Sequence, residues 1–212
     1  MTVRAIVVVV IAVGFARTAR ADCARDADQL RAHLVDQHRR AERWNLAWQI
    51  VFGSSTAIQL ALAITETNPL GDWDRDTRER TYVNTAKAAI GFGFALAFPL
   101  KIDVPPPKTD RCIELAELRT ALTRAGKNQR TAFWLNHVGG LALNLSGAAL
   151  LWYRRSLSVA GISLAESVPI GLINVYTMPH GAWHRWREHE PEWAISITPS
   201  AGGLWLSAGR AW

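Results

Sequence analysis

The sequence predicts an all-α membrane protein: a four-transmembrane-helix bundle built from two tandem helix–span–span repeats, with extramembrane amphipathic helices and a short C-terminal β-hairpin. Three observations predict it. First, four stretches of about 21 residues (44–64, 82–102, 132–152 and 157–178) are almost entirely apolar, and each is long enough as a helix to cross a ~30 Å hydrocarbon core. Second, aromatic rings frame those stretches, at Trp44, Trp48, Tyr82, Phe133, Trp134, Trp152, Tyr153 and Tyr176, where a spanning protein carries its interfacial belt. Third, the order of features repeats. Cys23 opens a charged helical stretch that leads to Trp44, and Cys112 opens one that leads to Trp134.

Residues 1–21 read as a secretory signal peptide removed after Ala21. Arg4 precedes an apolar run at 5–16 that is too short to span, and Ala19 and Ala21 suit the peptidase. An uncleaved anchor is the rival. Losing Arg4, Arg17 and Arg20 lowers the formal net charge from +6 to +3. No basic domain or zinc-finger spacing accompanies that charge, so nucleic acid is not an expected partner.

The first repeat occupies 22–103 and the second 104–179. Asp28-Gln-Leu-Arg-Ala-His-Leu resembles Ala116-Glu-Leu-Arg-Thr-Ala-Leu, and Ile90-Gly91 with Pro99 is echoed by Ile170-Gly171 with Pro179. In the charged stretches, Ala27, Leu30, Leu34, Ala41 and Trp44, and then Leu115, Leu118, Leu122 and Ala125, follow helical three-and-four spacing. Each helix therefore offers a narrow apolar seam, and the two seams are expected to face each other. Asp22 and Asp110 stand as N-caps. Pro105-Pro106-Pro107 breaks the chain before the second helix. His33 and His38 fall on the charged helix, where solvation accounts for them.

Cys23 and Cys112 are the only cysteines and open matching helices. A bridge between them is the expected pairing, and it requires an oxidising compartment. Together with the signal peptide, this places the cysteine-bearing helices and the C-terminus in the periplasm of a bacterial inner-membrane protein. Counting basic residues points the other way, with 14 on the cysteine side against five opposite. The dense Arg154-Arg155 turn and the signal peptide decide for the periplasm.

Ionisable groups in apolar stretches are costly and need a reason. Lys87 and Glu166 are expected to pair between the second and fourth spans; the alternative is that Lys87 reaches the cytoplasmic interface alone. His137, Asn144 and Asn174 are further polar residues in the spans, read mainly as packing contacts. His180, His184 and Glu188 recur at four-residue spacing, and two imidazoles with a carboxylate can bind zinc or copper. The surrounding Trp183, Trp186 and Trp193 favour an interfacial amphipathic turn instead, in a segment 180–212 whose end, with two short apolar runs about Pro199 and Gly203, reads as a hairpin.

No nucleophile–base pair, phosphate loop or acidic pair stands out, and Asp72, Asp74 and Asp76 read as a solvated loop. The expectation is a non-enzymatic envelope binding or scaffolding component without a cofactor. Its partners are the lipid bilayer and a protein or second copy of itself. A small-solute or ion transporter using Lys87 and Glu166 is the alternative, and a metal-binding membrane protein the second.

Overall fold

Between Asp22 and Phe52 the chain contains neither glycine nor proline, so nothing ends the charged helix where the apolar stretch begins. The two form one rod, α1 (Val3–Thr65), closed by Glu66 in the left-handed region at φ 52°. The computed structural model describes residues 22–67 and 71–188 with their side chains, and 3–21, 193–200 and 203–210 by backbone alone. The side chains of 1–21, and with them the signal-peptide reading, lie outside the described residues.

After the loop, Asp74 caps α2 (Arg75–Ala97) by accepting the Thr77 amide at 2.7 Å. Asp110 caps α3 (Arg111–Arg154) by accepting the amides of Cys112 and Ile113. Ser156 caps α4 (Leu157–Tyr176), and α5 (Gly181–Glu188) follows after Pro179. Strands β1 (Trp193–Ser200) and β2 (Gly203–Arg210) pair antiparallel with each other, Trp193 opposite Arg210.

Among the described residues the packed fold is thus a bundle of five helices, with the strands paired only to each other, and the expected four-transmembrane-helix architecture is corrected. Among the described residues, two helices are long and apolar enough to cross a membrane: α1 from Asp22, and α4. The physical reasons are local. Helix α2 stops at Ala97, before Phe98-Pro99, so its apolar part from Tyr82 extends only about 24 Å at 1.5 Å per residue. In α3, Asn136, His137 and Asn144 dilute the apolar run. Asp22, expected as a cap, lies inside α1, and the expected amphipathic helices are the leading halves of α1 and α3.

Those leading halves pack seam to seam. Ala27, Leu30, Leu34 and Ala41 share one core with Leu115, Leu118, Leu122 and Ala125. Cys23 and Cys112 are bonded at its end, with Cα atoms 5.1 Å apart. Two further pieces close this core. Helix α5 lays Ala182 and Trp186 on it, with Trp186 so close to Gly126 that a Cβ there would lie 2.7 Å from the Trp186 Cβ.

The segment from Phe98 to Asp110 covers the other side with Leu100 and Ile102. It is gripped by three α1 side chains seven residues apart. Asn45 exchanges two 2.9 Å hydrogen bonds with the Leu100 backbone, His38 Nδ1 bonds the Ile102 carbonyl at 2.7 Å, and Arg31 donates to the Pro105 carbonyl at 2.8 Å. His38, expected to be solvated, therefore holds a strap.

Glu114, fully buried beneath the disulfide, accepts from Arg31 Nε at 2.7 Å and also pairs with Arg111. Burial pulls its carboxyl pKa upward, but Arg31, the Lys108 amide and Arg111 together hold it below the usual 4.5. A lowered folded-state pKa gives stability that is present above pH 4.5 and lost as pH falls through the lowered value. The helical end is therefore expected to loosen as pH falls below 4.5 and through that lowered value, and Glu114→Gln to flatten that dependence. Near-UV circular dichroism against pH is the check, and an equally steep acid transition in the variant would refute the role of Glu114.

Candidate functional site

Phe52 sits over Gly91 and Phe92 over Gly53, a reciprocal close approach that locks α1 to α2. Helices α3 and α4 form the second pair, joined by the tight Arg155-Ser156 turn. At the turn end, Asp76 pairs with Arg155 and Glu79 with Arg154 at 3.2 Å. The Asp72-Asp74-Asp76 stretch thus provides a helix cap and an ion pair. At the other end, Trp44 Nε1 donates to the Asn174 carbonyl at 3.2 Å and Trp48 Nε1 to Thr177 Oγ1 at 3.3 Å. Trp48 is buried, so this ring is a tether between α1 and α4, whereas Tyr82, Trp134, Trp152, Tyr153 and Tyr176 are exposed as a belt would be.

Between the two pairs the bundle opens into a cleft of about 590 Å³. Aromatic rings (Phe52, Phe94 and Phe98) line the half nearer the strap, and polar side chains line the other half. Those side chains form a connected layer. Arg80 pairs with Glu166 at 3.5 Å, and Asn84 Nδ2 donates to Glu166 Oε2 at 3.0 Å. Ser163 Oγ donates to Asn84 Oδ1 at 2.8 Å, and Lys87 Nζ donates to Ser163 Oγ at 2.9 Å and Ser167 Oγ at 3.0 Å. The stem of Lys87 crosses α3 at Gly147, where a Cβ would lie 2.9 Å from its Cδ.

Lys87 and Glu166 are therefore brought to one interface but take different partners, in place of the expected direct pair. Among the described residues Lys87 pairs with no carboxylate, and at only 8% exposed it does not reach the bundle's edge. A lysine beside two serines has the composition of a Ser–Lys dyad, but the proton directions differ. Ser163 gives its proton to Asn84 and Ser167 to the Ser163 carbonyl at 2.7 Å, which leaves the ammonium as donor to both hydroxyls rather than as a base.

Asn144 is buried on α3, facing Gly171 of α4, and Asn174 is buried at the Trp44 contact. His137 belongs to an aromatic cluster, stacked on Phe133 at 5.9 Å with Tyr176 at 6.2 Å; its Nδ1 is buried without a partner. His180 also meets Phe133, edge-on with ring centroids 5.4 Å apart, and burial followed by the nearby His184 lowers its pKa below 6.5. The His180 and His184 rings are 6.2 Å apart, and Trp183 stacks on His184. Glu188 is exposed, and among the described residues no three potential ligands converge to hold a metal ion.

Sequence reasoning missed the strap contacts and the Asn84–Ser163 link. The seven-residue spacing of Arg31, His38 and Asn45, all on one face of α1, was the available signal for the first. Comparison with protein-family models, curated proteins and solved structures yields no match for this chain.

Proposed function

We propose that this protein is a membrane-associated, non-enzymatic binding component of the bacterial envelope, holding its disulfide-bonded helical end on the oxidising, periplasmic face and using the cleft as its binding site. One observation carries the reading: through the middle of the bundle the usual burial order is reversed. Ile50, Ile58, Val138 and Leu145 are exposed at 57–60% while Lys87, Asn144 and Ser163 are buried at 0–8%. Exposed apolar surface on this scale marks contact with lipid or a partner. In α1 and α4 only 11% and 28% of the most apolar window is buried, which separates them from core helices sequestered by their own protein.

The disulfide supports the compartment, since such bonds persist where thiols are oxidised. The hydrogen-bonded layer from Arg80 to Ser167 supports binding over passage, because it joins α2 to α4 across the cleft at the level of Lys87. Fractionation of expressing cells tests the reading. The protein is expected to stay in the membrane pellet through alkaline carbonate and to leave it only with detergent. Its two thiols are expected to take a membrane-impermeant maleimide in intact cells only after reduction. A detergent-free soluble monomer, or free thiols without reductant, overturns it.

A further inference from the structure

We infer that the cleft binds an acidic amphiphile, with an oxyanion head against Lys87 and an apolar tail along the aromatic half. The inference rests on the membrane reading above, because lipid is the source from which such a ligand would enter. An ammonium has three donors, and the protein supplies Lys87 with two acceptors, Ser163 Oγ and Ser167 Oγ. One donor remains, and among the described residues no carboxylate lies within ion-pair distance of this buried cation. Buried charges are ordinarily matched by a counter-charge and full hydrogen bonding.

A second observation is independent of the lysine. Gln59 Oε1 is buried without a partner, while its Nε2 is held by Ser55 at 3.0 Å. The α1–α2 register places Gln59 opposite the turn of α2 that carries Lys87, since Gly53 meets Phe92 and Gln49 bonds the Ala95 carbonyl. Both residues line the cleft. One wall therefore offers a spare cationic donor and another a spare acceptor. Charge agrees, for Arg80 and Lys87 face the single carboxylate of Glu166 there, leaving one net positive charge. Beyond the head position, the aromatic half continues along α2 to Phe98, about 16 Å from Lys87 at 1.5 Å per residue, a length suited to a hydrocarbon tail.

The shared chemistry is an oxyanion on a long chain, and it has two sources: a fatty-acid carboxylate, or the phosphomonoester of a lysophosphatidic acid, whose monoanion also brings a hydroxyl for Gln59. The test uses the full chain in detergent. Trp44 and Trp48 line the cleft, so quenching by brominated chains reports occupancy, and relief by an unbrominated competitor isolates the cleft from the remaining tryptophans. Three probes of equal chain length are compared: a brominated fatty acid, the corresponding lysophosphatidic acid, and the corresponding alcohol.

Saturable quenching by at least one acid, with the alcohol about tenfold weaker or more, supports the inference. Lys87→Gln is expected to remove that preference while leaving alcohol quenching unchanged. Gln59→Leu is expected to weaken only the phosphate arm if phosphate is the head bound. Equal binding of acid and alcohol to the unaltered protein overturns the inference whether or not the lysine variant folds, and leaves the membrane reading standing. Quenching by none of the three chains overturns both.

Discussion

Replacing Cys23 and Cys112 together with serine is expected to lower the stability of the helical end by about 4–5 kcal/mol. The bond joins residues 89 apart in sequence, so breaking it releases a loop containing most of α1 and all of α2. In the chain-entropy account the cost grows with the logarithm of that loop length. Sealing the α1 and α3 seams at their outer end, the bond holds together the core that Leu34 and Leu118 build. In a protein of this size each kcal/mol corresponds to roughly 2–4 °C, so the melting temperature is expected to fall by about 8–20 °C. Thermal melting of the detergent-solubilised protein, oxidised and reduced, checks it; melting within a degree or two in both forms would deny the bond this role.

Leu118→Ala is expected to cost about 2–5 kcal/mol. Its side chain is fully buried, as is Leu34 on the facing helix, and α5 and the strap lie over the same core, leaving little room for collapse around the cavity. Leu145→Ala, on the same helix but 57% exposed, is expected to change stability by less than about 0.5 kcal/mol in detergent. Denaturant or thermal melts of the two variants measure the contrast directly. Comparable losses would mean that Leu145 is covered and that the reversed burial of the middle section is wrong.

Apart from the disulfide, the legible parts of this fold rest on residues close in sequence. The seams at Leu30, Leu34, Leu115 and Leu118 follow helical periodicity, and the Asp110 cap is written in the residues that form it. Two cysteines heading matched helices leave one intramolecular pairing, which the structure contains. The count of spans failed because apolar length, framing aromatics and an apparent repeat do not say where a helix ends. Whether 82–102 stays helical depends on Phe98-Pro99-Leu100 leaving the helix to join a distant core, and Asn45 and His38 provide the hydrogen bonds that draw it there.

The candidate site divides in the same way. Lys87 and Glu166 were identifiable because charge inside an apolar stretch is expensive, whatever the fold. Their partners were not, because the choice between a direct pair and two separate arrangements turns on rotation about the helix axes. Gly147 opens the path that directs Lys87 toward Ser163 and Ser167, while Asn84 and Arg80 take up the carboxylate.

Local pattern by itself determined that this chain makes long helices, which faces of the leading halves are apolar, and that its two thiols can meet. Tertiary structure alone decided that a strap and α5 close the core, and that a cleft lies between the helix pairs. Periodicity and composition act over one or two turns, whereas those outcomes depend on contacts between residues 50 to 130 positions apart. Such contacts form only once helix packing has set the distance and rotation of one element against another.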